Sequence, residues 1–417
     1  MGFVGPIYRS QAAPALDQIL ASQVFDGATV CAYVTDSDGT VLYSKNGTTR
    51  VSPASNEKLF SAAFALYELG PDYRPATKVW VEKDRVDVES DGDPTLSHDD
   101  LKNLGKALGL DGRLPVAVKQ AYDPEIPEGW EYGDLPNRYA APVAAFSVDQ
   151  SGFELWNDNG KLELRPESYG VAIHTIRSSG HPKFTYDPVR RLVGASGKFP
   201  KKVERLDTLA TPNACQAAAS LLGKGMTSLE EDPPGDPTRV FSGRPLSEVL
   251  GRCLQKSDNN MAENLLLMGA NRLGPLDVHN PYPQALTSLK DFATRVAGVL
   301  ADDVFPRDGC GLTRGNLVTV RAIASVLNWE RTQPTFPLWT SSLASPGVGT
   351  LASRLHGINF HGKTGSLSHV TALSGYLVTP DGKNLTVSVV VNNYNCSDSQ
   401  AHATIDNFFG YIFRHAL

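Results

Sequence analysis

Ser55 and Lys58 set a hydroxyl and an amine three residues apart in the 417-residue chain, the pairing a serine nucleophile and its base require. On a helix, residues three apart share a face, so the Lys58 amine comes to lie beside the Ser55 hydroxyl. A free lysine titrates near about 10.4, and service as a base near neutral pH needs a depression of roughly 3 units, or about 4 kcal/mol against the charged form. Burial and a second cation supply such a depression. Lys363, in Lys363-Thr364-Gly365, is the candidate cation. A helix N-terminus at Ser55 adds positive potential that also favours an oxyanion.

A third cluster, Ser257-Asp258-Asn259, completes the set. A serine hydroxyl both donates and accepts, so Ser257 can relay a proton to a departing amine, and the Asn259 amide can hold Lys58 and a substrate carbonyl. Lys363 and Thr364 suit a terminal carboxylate, and Gly365 leaves room for a substrate backbone against a strand. The backbone N–H groups of Ser55 and Ser366 are the candidates for an oxyanion hole. Each pattern alone is weak: S-x-x-K arises roughly once or twice by chance in such a chain, and Ser44-Lys45-Asn46 is a second S-x-N. Three in order, each in its own structural setting, are far more specific. Against them stands the bland reading in which Ser55 is an N-cap and Lys363 an edge-strand charge.

The elements needed to position these groups are legible around them. Apolar residues Leu59, Ala62, Ala63, Leu66 and Leu69 recur at helical spacing up to Gly70, which predicts a helix starting at Ser55. Ala13 to Val24 reads as a helix, and Ala28–Thr35 and Val41–Lys45 as a hairpin around Asp36-Ser37-Asp38-Gly39. A helical pattern from Leu246 is interrupted at Lys256–Asn260 and resumes through Met261 to Leu273. His361–Leu367, Val370–Val378 and Leu385–Asn392 alternate as three antiparallel strands, and Gln400–Phe413 forms a last amphipathic helix. Together these predict an α+β, α/β-sandwich domain: a five-stranded antiparallel sheet between terminal helices and a helical cluster. That domain takes residues 1–72 and 240–417. Residues 73–239 carry short strands, acidic turns such as Glu89 to Pro94 and many prolines. They are expected to form a strand-rich insert with room for two subdomains.

Bulk composition narrows the partners. With 41% hydrophobic and 20% charged residues and a net charge of -6, the chain is globular and unsuited to nucleic acid or anionic lipid as a main partner. No run of about 18 apolar residues occurs, and the N-terminus lacks a basic start followed by an apolar stretch. The start fits an exported, mature form from which a signal has been removed. Cys31, Cys215, Cys253, Cys310 and Cys396 show no zinc spacing, so neither metal nor cofactor is expected; with five thiols at least one is unpaired within the chain.

The S-x-x-K, S-D-N and K-T-G set resembles the class C low-molecular-mass penicillin-binding proteins, D-alanyl-D-alanine carboxypeptidases and endopeptidases of the cell wall. From Ser55 to Ser257 is 202 positions (257 − 55), the long separation that family fills with an inserted domain. Asp91-Gly92-Asp93-Pro94-Thr95-Leu96-Ser97, Tyr139-Ala140-Ala141-Pro142 and Ala144-Ala145-Phe146-Ser147-Val148 resemble family segments in the insert. Asp308-Gly309-Cys310-Gly311-Leu312-Thr313 resembles its D-G-S-G-L-S pattern, with Cys310 where serine is usual.

The resemblance implies a penicillin-binding transpeptidase-like fold, an acyl-enzyme on Ser55, and β-lactams as covalent inhibitors. It implies peptidoglycan stem peptides ending in D-Ala-D-Ala as substrate, and a place outside the cytoplasmic membrane, where the cross-linked wall lies. It also implies that Trp130, Asp134, Tyr139, Arg314 and Leu367 read a free diaminopimelate end, Asp134 suiting its ammonium and Arg314 its carboxylate. The same residues have ordinary readings, Trp130 and Leu367 as packing and Asp134 and Arg314 as solvated charges. Rival functions are a β-lactamase, an esterase or amidase on D-amino substrates, or a non-catalytic wall-binding module. No convincing E-x-x-L-N segment lies between Ser55 and Ser257 to supply a hydrolytic glutamate, and the intact motifs disfavour a non-catalytic module.

Overall fold

A computed structural model describes residues 13–417 apart from 167–169, 177, 234 and 416. These described residues form two compact units: those within 1–72, 246–273 and 282–417 make the first, and those within 73–245 with 274–281 the second.

The first unit is built on a five-stranded sheet in the spatial order Asn359–Leu367, Val370–Val378, Asn384–Asn392, Thr29–Thr35, Val41–Lys45. All neighbouring pairs are antiparallel. The period of two in a strand sorts the side chains between the faces. Val387, Val389 and Val391 join Leu373 and Leu377 in a core with Leu16 and Leu20 of the Ala13–Leu20 helix and Ile405, Phe408 and Phe409 of the Asp398–His415 helix. The alternate residues meet the helical layer on the other face: the Thr386 hydroxyl donates to Asn328 Oδ1 at 2.6 Å, from the Val320–Arg331 helix. The five-stranded antiparallel sheet and its two helical layers are those the sequence predicts. The first helix is shorter than expected, ending at Leu20 with a separate turn at Gln23–Phe25.

The second unit holds a five-stranded sheet, in the order Lys224–Ser228, Pro115–Gln120, Val86–Ser90, Ala76–Val81, Arg239–Ser242, and two three-stranded sheets. Two separate apolar clusters fill it, one around Val88, Leu101, Val118 and Phe146, the other around Phe153, Leu155, Val193 and Leu209. It runs past the expected boundary at 239 because Arg239–Ser242 pairs with Ala76–Val81. It also takes Gly274–Pro281, tied by the Asp123 N–H to the Val278 carbonyl at 2.8 Å. A helix at His98–Ala107 lies where the sequence reads only strands and loops; Ser97 caps it, exchanging hydrogen bonds with Asp100.

Candidate active site

Ser55 lies in a 3-10 turn, Ala54–Glu57, that runs into the Lys58–Leu69 helix. Lys58 is fully buried. Its Nζ meets three oxygens: Ser55 Oγ at 2.9 Å, Asn259 Oδ1 at 2.7 Å and the Cys310 carbonyl at 2.7 Å. The last two can only accept. Two N–H groups of the amine are therefore committed to Asn259 and Cys310, and the third position on its nitrogen faces the Ser55 hydroxyl.

Ser257 stands between the Leu246–Lys256 and Asn259–Leu273 helices with φ +60°, the left-handed conformation that ends the first helix. Asp258 begins the second by accepting the Met261 N–H at 3.0 Å. Its flanking residues supply the site: Ser257 Oγ receives Lys363 Nζ at 2.8 Å, and Asn259 receives Lys58. Lys363, also fully buried, donates to the Thr364 carbonyl at 2.8 Å as well. Burial first, and the Lys58 charge second, push the Lys363 ammonium well below the ordinary lysine range.

The Asn359–Leu367 strand that carries Lys363 is the edge of its sheet. Thr364 Oγ1 donates to Thr350 Oγ1 at 2.7 Å, and Ser366, opposite Thr371, is exposed. Gly365 has a reason beyond substrate access: a Cβ there would stand 2.9 Å from the Pro53 carbonyl oxygen and 3.2 Å from Ala54 Cβ. Its hydrogen side chain is what lets the strand lie against the turn that carries Ser55.

The Asp308–Thr313 loop forms a further wall. Asp308 accepts the Gly311 N–H at 2.6 Å and the Thr313 N–H at 2.8 Å, and Glu263 accepts the Gly309 N–H. Gly311, at φ +83°, packs so tightly that a Cβ would overlap the Ala54 carbonyl oxygen. Sequence reasoning matched this segment to a family pattern but missed that a main-chain oxygen, that of Cys310, contacts Lys58. It missed Glu263, Thr350 and Asn56 too; Asn56 Nδ2 donates to the Lys363 carbonyl at 3.1 Å. Burial pushes the Glu263 carboxyl up to about 8, with Asp308 adding to the rise. Glu263, Asp308 and Cys310 approach one another as metal ligands would, yet both carboxylates already accept backbone N–H groups. All five cysteines are free, and Cys310 is fully buried.

The remaining candidates divide between the units. In the first, Arg314 Nη2 donates to the Ser368 carbonyl at 2.8 Å, next to Leu367 at the end of the edge strand. Trp130, Asp134 and Tyr139 belong to the second. There the Tyr139 hydroxyl donates to Asp134 Oδ1 at 2.7 Å; burial and that carboxylate push Tyr139 up to about 12.

The sequence model of the D-Ala-D-Ala carboxypeptidase 3 (S13) family matches residues 12–180 and 227–410. The chain belongs to that family. It is therefore a serine-type D-alanyl-D-alanine peptidase of the penicillin-binding kind. A D-alanyl-D-alanine carboxypeptidase of Actinomadura sp. is 28% identical over 439 residues, 91% of this chain and 80% of that protein. The crystal structure of penicillin binding protein 4 from Haemophilus influenzae superposes with a TM-score of 0.80 at 19% identity, over 96% of this chain and 99% of that one. A predatory endopeptidase of Bdellovibrio bacteriovorus, solved acylated by penicillin G, gives 0.50 at 13% identity, over 92% of each chain. These likenesses carry the fold, an antiparallel-sheet domain with an added strand-rich unit. Among the described residues no helix is long and apolar enough to cross a membrane.

Proposed function

We propose that the S13 chemistry of this chain runs through an acyl-enzyme on Ser55, formed from peptidoglycan stem peptides that end in D-Ala-D-Ala. The observation that carries this reading is the 2.9 Å contact between Lys58 Nζ and Ser55 Oγ, with the other partners of that amine restricted to accepting.

Lys58 takes the hydroxyl proton as Ser55 Oγ bonds to the carbonyl carbon of the penultimate D-alanine. The Ser55 and Ser366 N–H groups receive the oxyanion. Collapse breaks the peptide C–N bond, and the proton that Lys58 took passes through Ser257 to the departing D-alanine amine, leaving Lys58 neutral again. Lys363, 2.8 Å from Ser257 Oγ, orients that hydroxyl and keeps its own proton. Water then attacks the ester, Lys58 takes its proton and returns it to Ser55 Oγ as the ester bond breaks, and Ser55 is regenerated. Lys363 and Thr364 hold the terminal carboxylate, which gives the buried ammonium the counter-charge its site lacks. Carboxypeptidase and endopeptidase turnover use the same steps, since both break a bond after a D-alanine.

Trp130, Asp134, Tyr139, Arg314 and Leu367 are assigned to a free diaminopimelate end, Asp134 holding its ammonium and Arg314 its carboxylate. An enzyme that works on the wall acts outside the cytoplasmic membrane. A β-lactam enters by mimicking the acyl-D-alanyl-D-alanine end, and without a dedicated deacylating glutamate its ester is released slowly. Mass spectrometry after benzylpenicillin treatment tests the nucleophile: a stable adduct is expected on the wild type and none on Ser55→Ala. An adduct on Ser55→Ala, or penicillin turned over many times per second, would refute the reading.

A further inference from the structure

Far along the sequence from every catalytic motif, the second unit contains a cavity of about 680 Å³ lined by Lys161, Lys198 and Lys201. Its other lining groups are polar and uncharged, such as Asn159 and Thr175, or apolar, such as Ile173 and Phe199; no carboxylate occurs among the described lining residues. Lys198 and Lys201 are exposed, and among the described residues their ammonium groups have neither hydrogen bond nor ion pair, whereas Lys161 reaches Glu163 at 3.1 Å. In a chain of net charge -6 this is a local concentration of positive charge, opposed among the described residues only at Lys161.

The loops that present the lysines are fastened together. Asn157, fully buried, accepts the Gly160 N–H at 2.9 Å and donates to the Pro200 carbonyl at 2.9 Å. The Asn159 N–H reaches the Lys202 carbonyl at 3.1 Å, and the Lys198 N–H the Gly180 carbonyl at 3.3 Å. Gly197, at φ +89°, lies so close to the His181 carbonyl that a side chain there would overlap it. One asparagine and one glycine thus hold three turns in register, and the three like charges stay gathered although only that of Lys161 meets a carboxylate, Glu163, among the described residues. Such an arrangement is organised for an external anion. The uncharged lining fits a ligand that also offers amides, hydroxyls and C–H faces.

We propose that this groove binds a peptidoglycan strand through the carboxylates of its stem peptides, as a second point of attachment to the polymer on which the catalytic serine acts. The inference rests on the peptidase reading for the choice of ligand. A second attachment raises the effective concentration of neighbouring stem peptides without altering the chemistry at Ser55.

The test is co-sedimentation with purified sacculi stripped of covalently attached polymers, with and without prior benzylpenicillin treatment. The variant is Lys161→Gln/Lys198→Gln/Lys201→Gln, with Lys198→Gln/Lys201→Gln as a milder second. Binding by the triple variant should weaken about tenfold at low salt, and added salt should abolish the difference. Amidating the sacculus carboxylates should weaken wild-type binding to the same degree. Penicillin acylation and D-alanine release from a short soluble peptide should be unchanged, which also reports an intact fold. Equal sedimentation of variant and wild type, undiminished binding to amidated sacculi, or preference for a phosphodiester wall polymer over sacculi would each overturn the proposal. A wild type that penicillin leaves unmodified would instead strike at the peptidase reading, while sedimentation would still report on the groove.

Discussion

Both carboxylate oxygens of Glu263 lie 2.9 Å from the Gly309 nitrogen, one residue before the carbonyl that holds Lys58. Glu263 touches no substrate atom in the proposed chemistry; it fixes the loop that aims the Cys310 oxygen. Glu263→Ala should leave the Gly309 N–H buried and unpaired, at about 1–3 kcal/mol, and slow penicillin acylation by about tenfold or more. Glu263→Gln keeps an acceptor and should recover most of the rate. Stopped-flow acylation of the two variants is the measurement, and equal rates for both would remove the positioning role.

Glu330 gives a pH prediction. Its carboxyl is buried with neither oxygen hydrogen-bonded, and burial raises it from 4.5 to about 8. A carboxyl raised in the folded state is bound to its proton there at pH values where the unfolded chain has lost it. Its contribution to stability is fully present below about pH 4.5 and is lost as pH rises towards about 8. Glu263, also raised to about 8, acts in the same direction. Glu330→Met should therefore flatten the decline of Tm between these pH values and raise Tm at pH 8, with acylation unchanged. Thermal melts across the range check it; parallel curves for variant and wild type would show that Glu330 is not the source.

Gly311 offers a steric test. Its φ of +83° and the overlap that a methyl group there would make with the Ala54 carbonyl oxygen leave no room for a side chain. Gly311→Ala should cost about 1–3 kcal/mol. It should also displace the turn bearing Ser55, so that acylation falls more than stability alone accounts for. Urea melts alongside acylation rates separate the two effects.

How much of this was legible in the sequence differs from group to group. Ser55, Lys58, Ser257, Asn259 and Lys363 stand in short motifs because they meet one another through their side chains, and helical or strand periodicity beside them reveals the elements that hold them. The central sheet was legible for the same reason: its strands alternate and are punctuated by Asp-Gly turns. The Cys310 carbonyl was not, since a main-chain oxygen leaves no residue type to recognise. Thr350 and Glu263 meet the site through contacts distant in sequence. The Gly274–Pro281 return to the second unit depends on a backbone bond to Asp123, which has no local signature. The His98–Ala107 helix had its signal, Ser97 ahead of Asp100 and apolar Leu101 and Leu104, set within a region of turns and strands.

Lys363 combines a burden on folding with, in the proposed chemistry, a duty in binding. Its ammonium is fully buried and pushed well down from the ordinary 10.5, so the folded state prefers the neutral amine. For a lysine depressed in this way, the cost to stability is greatest at low pH, where the folded protein must carry the charge, and fades as pH rises towards 10.5. Lys363→Met removes that cost but leaves Ser257 Oγ and the Thr364 carbonyl without their partner. Its Tm at pH 6 should equal or exceed that of the wild type, the gain narrowing at higher pH, while penicillin acylation falls by about a hundredfold or more as the carboxylate loses its cation. In the wild type, kcat/KM for a D-Ala-D-Ala peptide should decline on the alkaline side at a pH well below 10.5, through KM, because the neutral amine no longer attracts the carboxylate. A peptide ending in a carboxamide should lack that limb. If both substrates declined together, the limb would belong to the nucleophile and its base, and Lys363 would have no part in holding the carboxylate.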